Sequence, residues 1–185
     1  MKQEKTGLIL PYKGIVPKMG KDVFLAPMAS VMGDVEIGAG SNLWFGVVVR
    51  GDVNTIRIGK NTNLQDGTVV HVTRKTNPTI IGNGITVGHR AVLHGCTLED
   101  GCFVGMGATV MDGAVVESGA IVGAGALVTP GKRVVAGEVW VGIPARKIRN
   151  ITDEELAFIP RSAENYKVLA GDYMAEGVGR LSKNI

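Results

Sequence analysis

Three histidines are the residues of this 185-residue chain best suited to chemistry near neutral pH: His71, then His89 and His94 within ITVGHRAVLHG, residues 85 to 95. A neutral imidazole can serve as a metal ligand or a general base. Two of them five positions apart do not share one face of a helix, where partners fall three or four apart. Other elements must therefore carry them.

Those elements show in a repeat. Aliphatic residues recur every six positions at Val104, Val110, Val116, Val122 and Val128, and small residues follow four positions later at Ala108, Ala114, Ala120 and Ala126. The same spacing runs through Leu25, Val31, Ile37, Leu43 and Val49, then Ile58, Leu64 and Val70, then Ile81, Val87, Leu93 and, one residue early, Leu98; Val134 extends it. A period of six suits short strands joined by tight turns, with one aliphatic residue of each pointing inward. Three such strands make a coil, and coils stack about 4.8 Å apart. The repeat spans residues 22 to 140 and predicts a parallel β-helix, triangular in section. Residues 1–21 are expected to start the prism, 22–148 to form it, and 149–185 to make a C-terminal helical segment. TDEE, residues 152–155, reads as a capping box that opens a helix. Pro160 is expected to break that helix, with 162–174 forming a second one.

Counting along the repeat places the histidines. His71 follows Val70, and His94 follows Leu93. If the eleven-residue step from Val70 to Ile81 is one strand step with a loop inserted, His71 and His94 lie one coil apart on one wall. Stacked in this way they can share a metal ion. His89 falls one wall earlier, at a different corner, and reaches such an ion only from a neighbouring subunit of a threefold trimer. By the same counting Arg50 lies on the wall of His71 and His94, while Gln65 and Asp66 lie on the wall of His89.

RGD at 50–52, NLQD at 63–66, His71 and GHRAVLHG at 88–95 resemble the γ-class carbonic anhydrases, over nearly the whole chain. The resemblance implies a left-handed prism and a homotrimer in which three histidines bind a divalent metal across each interface. It implies that His71 and His94 come from one chain and His89 from the next. The expected ion is Zn²⁺, with Fe²⁺ or Co²⁺ also suited to imidazole, and the expected reaction is reversible hydration of CO₂ to bicarbonate by a metal hydroxide. It further implies that Gln65 orients the hydroxide or bicarbonate, that Asn63 lines the pocket, and that Arg50, Asp52 and Asp66 form an interface ion-pair network. Tyr166 would reach the site from the C-terminal helix. Two departures bear on turnover: Val53 stands where the archetypal archaeal member has a glutamate for proton handling, and the loop after His71, VTRKTNP, has no acid.

Composition narrows the alternatives. A net charge of +3 without blocks of like charge argues against a nucleic-acid or anionic-membrane partner. The first fourteen residues hold only a four-residue apolar run, and no stretch approaches the ~20 apolar residues of a membrane span. Cys96 and Cys102 lack CxxC spacing and read as reduced thiols, so a cytoplasmic location is expected. The GxG units at Gly105/Gly107 and Gly123/Gly125 repeat with the hexapeptide period and read as turns rather than a dinucleotide loop. An acyl-CoA-dependent acyltransferase on the same prism is the rival enzyme, but it needs only one histidine base. A non-catalytic, metal-stabilised trimer acting as a scaffold is the third reading.

Overall fold

The computed structural model describes residues 5–181; the first four and last four residues of the two expected terminal segments lie outside the described residues. The chain winds into a parallel β-helix of about seven turns with a C-terminal helix laid along it. Three walls form. One stacks Phe24–Leu25, Asn42–Leu43, Asn63–Leu64, Thr86–Val87, Phe103–Val104, Ile121–Val122 and Glu138–Val141. A second stacks Val69–His71, Val92–His94, Thr109–Val110 and Leu127–Val128, and a third stacks Thr79–Ile81, Thr97–Leu98, Val115–Val116 and Arg133–Val134. The long strands Ser30–Ile37 and Val48–Ile58 bend around the corner between the last two walls without a break, which joins those walls into one sheet. The nine-residue step from Val49 to Ile58 is thus a bent strand, with Val49 beside Val70 and Ile58 beside Ile81.

The six-residue spacing is the core. Every aliphatic residue of the repeat from Leu25 to Val134 is buried and belongs to one continuous apolar column. Burying such a side chain is worth about 1.5–3 kcal/mol. The alanines at 108, 114, 120 and 126 are buried at the corners, where only a small side chain fits between neighbouring walls. Cys96 and Cys102 are free and buried, and burial pushes the Cys96 thiol up to about 12. They are inert core residues.

Two features depart from the sequence reading. After the last coil, Arg146–Asn150 returns antiparallel along Glu138–Val141 and covers an edge that would otherwise stand open. Trp140, which pairs with Val122 in the ladder, packs against the end of the core. Secondly, Pro160 does not break the helix: one helix runs Asp153–Ala175 with Pro160 inside it. Ile159, Ser162, Ala163 and Ala170 are buried on both sides of the proline, so packing against the prism outweighs the ~3 kcal/mol that an internal proline costs. The helix runs back along the wall that carries Thr86, to which Ser162 is hydrogen-bonded at 3.0 Å.

The capping box forms as read. Thr152 accepts from the Glu155 N–H, while the Glu155 carboxylate accepts from the Thr152 N–H and from both terminal nitrogens of Arg149 at 2.7 Å. The Arg149 hydrogen bonds, followed by the Thr152 N–H, hold the Glu155 carboxyl down at about 2. A depressed carboxylate contributes stability above its ordinary value of 4.5 and loses it as pH falls toward its folded value. In urea unfolding followed by helical circular dichroism, the wild type is therefore expected to exceed Glu155→Gln at pH 6. The gap should close below pH ~3; a gap constant across that range overturns the assignment.

Candidate metal centre

His71 and His94 end two adjacent strands and are direct partners in the parallel ladder. A buried threonine fixes their backbones: Thr79 Oγ1 donates to the His71 carbonyl at 2.6 Å and accepts from the Gly95 N–H at 2.9 Å. The rings face each other, with His71 Nδ1 and His94 Nε2 3.2 Å apart. Their outer nitrogens are each engaged by a carboxylate, His71 Nε2 by Asp52 at 3.0 Å and His94 Nδ1 by Asp112 at 2.9 Å.

Burial opposes the charge of Asp52. Hydrogen bonds from His71 and Arg50, with the charges of those two residues, outweigh it and hold the carboxyl below its usual range. For Asp112 burial is again opposed, by hydrogen bonds from Thr73 and His94 and by the charge of His94. Both carboxylates are therefore ionised acceptors at neutral pH, and the imidazole N–H groups must point at them. With both rings neutral, the lone pairs of His71 Nδ1 and His94 Nε2 would face each other. That arrangement calls for a cation. The 3.2 Å gap lies close to the ~3.3 Å edge of a tetrahedral site with Zn–N bonds of about 2.0–2.1 Å. Carboxylates that orient the ligating imidazoles are also the usual outer shell of a zinc site. The donor set fits a divalent metal.

His89 stands at the corner where the chain leaves Thr86–Val87, on the turn before Val92–His94. Asp66 holds its Nδ1 at 2.8 Å, and its Nε2 faces the Tyr166 hydroxyl at 3.5 Å. The His89 and Asp66 side chains are 39% and 42% exposed, turned to the outside of the prism. Among the described residues no three His, Cys, Asp or Glu side chains gather as a metal cluster within the chain. Tyr166 is set by the aromatic group Trp44, Phe45 and Tyr173, its ring 5.4 Å from that of Trp44. Burial, then the charge of Asp66, raises its hydroxyl pKa. It is a neutral donor or acceptor at neutral pH.

The other expected residues divide. Gln65 is buried beside His89, its Oε1 accepting the His89 N–H at 3.2 Å, and its amide donates to Asn63 Oδ1. Asn63 is fully buried and bonded to Ile85 and Thr86, so it touches the centre through Gln65. Arg50 pairs with Asp52 within the chain, whereas Asp66 pairs with His89 and meets neither. Val53 packs on the core. The acid-free loop after His71 is a tight turn closed by pairing of Thr73 with Asn77 and held by Asn54 Nδ2 on the Thr73 carbonyl at 3.0 Å. Sequence reasoning missed Asp112 and Thr79. Asp112 was within reach of the counting, since Val110 pairs with Leu93 and Asp112 follows it by two; Thr79 was not, because its role appears only when the loop before it closes.

The family profile described as "Bacterial transferase hexapeptide (six repeats)" matches residues 17–51 and 95–130. "Gamma carbonic anhydrase 1, mitochondrial" of Arabidopsis thaliana is 54% identical over 90% of this chain, and this chain spans only 62% of that protein's length. A protein of Methanocaldococcus jannaschii named "Probable carbonic anhydrase" is 48% identical, the match covering 82% of this chain and 95% of that one. The crystal structure of a hexapeptide transferase family protein from Anaplasma phagocytophilum superposes with a TM-score of 0.87 at 44% identity, covering 94% of this chain and 99% of that one. With its hexapeptide prism and this identity to full-length relatives, the chain belongs to the γ-carbonic anhydrase family.

Proposed function

We propose that the protein is a metal-dependent carbonic anhydrase, a homotrimer whose three centres each take His71 and His94 from one subunit and His89 from the next. The observation that carries the reading is the pair of facing imidazole nitrogens 3.2 Å apart, each ring held from behind by its own carboxylate. A bound Zn²⁺, or Fe²⁺ or Co²⁺, would supply water at a lowered pKa near ~7 and hence a nucleophile for CO₂ at neutral pH. The chain's own residues do the rest. Asp52, Asp66 and Asp112 keep the three rings in the tautomer that presents a lone pair to the ion. Gln65, fixed between Asn63 and the His89 backbone, is placed to orient substrate. Tyr166 stands at the open nitrogen of His89, where its hydroxyl can relay a proton. Arg50, part-exposed beside Asp52, would be free to join an ion-pair network across the interface of such a trimer.

Three imidazoles are more than an acyltransferase base requires, which favours the anhydrase reading over the transferase one. Val53 and the acid-free loop favour a second reading, a metal-stabilised trimer that hydrates CO₂ slowly or not at all. No helix among the described residues is long and apolar enough to cross a membrane. The unpaired, buried cysteines support a cytoplasmic location, although the Arabidopsis relative is named mitochondrial.

Stopped-flow CO₂ hydration on anaerobically purified protein loaded with Zn²⁺ or Fe²⁺ tests the reading. A rate above buffer that disappears in His94→Ala is expected. Tight metal binding without any rate would favour the scaffold, and acetyl-CoA consumption with an amine or sugar acceptor would favour the transferase.

A further inference from the structure

The loop after His71 lacks the acids a proton shuttle needs, yet it is not idle. Thr73 Oγ1 donates at 2.7 Å to Asp112 Oδ1, the same oxygen that His94 Nδ1 approaches at 2.9 Å. Asn77, at the other end of the turn, lies against that carboxylate. A Cβ built on Gly95 would fall 2.1 Å from Asp112 Oδ1 and 2.8 Å from Asn77 Cβ. Gly95, which has a positive φ of 58°, is therefore the opening through which loop and carboxylate reach the back of His94. The chain is continuous from loop to ring: Thr73 and Asn77 set Asp112, and Asp112 sets His94.

We propose that Asp112, anchored by the Thr73–Asn77 loop, is the positioning residue that fixes the tautomer and direction of His94, so that this loop serves metal retention. The proposal rests on the metal reading above. Three details support a positioning role over a merely structural one. The carboxylate contact is to the outer nitrogen of a ring whose inner nitrogen faces His71. Thr73 and His94 converge on one oxygen, so displacing the loop moves the ring's partner. The loop is already tied to the prism by buried Val72 and by Asn54 on the Thr73 carbonyl, so its Thr73 contact with Asp112 is not needed to hold it in place.

The test uses the purified protein, apo and then titrated with Co²⁺, with affinity read by chelator competition and ligand geometry by the visible absorption of the bound ion. Asp112→Ala is expected to weaken Co²⁺ binding towards 100-fold and to change the absorption bands, and Thr73→Val to weaken it by about tenfold. Thr73→Ser, which keeps the hydroxyl, should behave as wild type. If Asp112→Ala or Thr73→Val is less stable but binds Co²⁺ with wild-type affinity and spectrum, the proposal is overturned and the metal reading stands. If the wild type binds no Co²⁺ that His94→Ala abolishes, both fall together. Should Asp112→Ala fail to fold, the Thr73 pair decides the matter, because valine and threonine fill the same space.

Discussion

Trimers assembled from a mixture of His89→Ala and His94→Ala chains are expected to bind metal and hydrate CO₂, although neither variant does so alone. Each centre in the proposed trimer needs His71 and His94 from one subunit and His89 from its neighbour. A His89→Ala chain still offers the first pair, and a His94→Ala chain still offers the single ring. Wherever the former precedes the latter around the threefold axis, one centre is complete. Random assembly of equal amounts completes about one quarter of all centres. Metal content and CO₂ hydration should both recover to that fraction after co-refolding and stay at background in the unmixed variants. The physical basis is separation: His71 and His94 meet ring to ring, while the His89 ring engages Asp66 and Tyr166 on another corner. A site built within one chain could never be restored by mixing, so failure at every ratio would remove the cross-subunit arrangement.

The second large effect concerns stability. A Cβ on Gly59 would lie 2.5 Å from the backbone carbon and oxygen of Gly82 in the next coil, and one on Gly38 would meet the Gly59 backbone in the same way. Coils about 4.8 Å apart leave no room for a methyl group between stacked backbones, and no side chain can move to make it. Gly59→Ala is expected to cost about 3 kcal/mol or more. Gly84, two positions beyond Gly82, has open space around its Cβ direction but a positive φ of 63°. Gly84→Ala should lose about 1 kcal/mol, the ordinary cost of a left-handed conformation for an L-residue. Urea midpoints of the two variants separate the causes. Equal midpoints would mean that backbone crowding between coils is not what selects glycine at position 59.

Much of the architecture was legible because a solenoid repeats its local rule. Each six-residue unit contributes one inward aliphatic side chain and one tight corner, and coils meet chiefly their neighbours, so the phase of Val104 to Val128 carries the prism without long-range information. The phase survived two interruptions. The step from Val49 to Ile58 became a bent strand and that from Val70 to Ile81 a loop, and in both the aliphatic column continued. Pro160 was misread because propensity is local and modest, whereas the buried faces at Ile159 and Ala163 come from docking on a wall distant in sequence. The return strand Arg146–Asn150 carries no apolar alternation and is exposed throughout; only the open edge of Glu138–Val141 recruits it.

By itself the amino-acid sequence determined the coil, the wall on which each histidine lies and the pairing of His71 with His94, because these follow from counting residues along a strict period. The tertiary structure alone decided which nitrogen of each ring is free. That choice depends on Asp52, Asp66 and Asp112 arriving from other coils at hydrogen-bond distance, and on a loop that folds back through the gap left at Gly95. Period places a side chain on a wall; only packing between coils aims its lone pair.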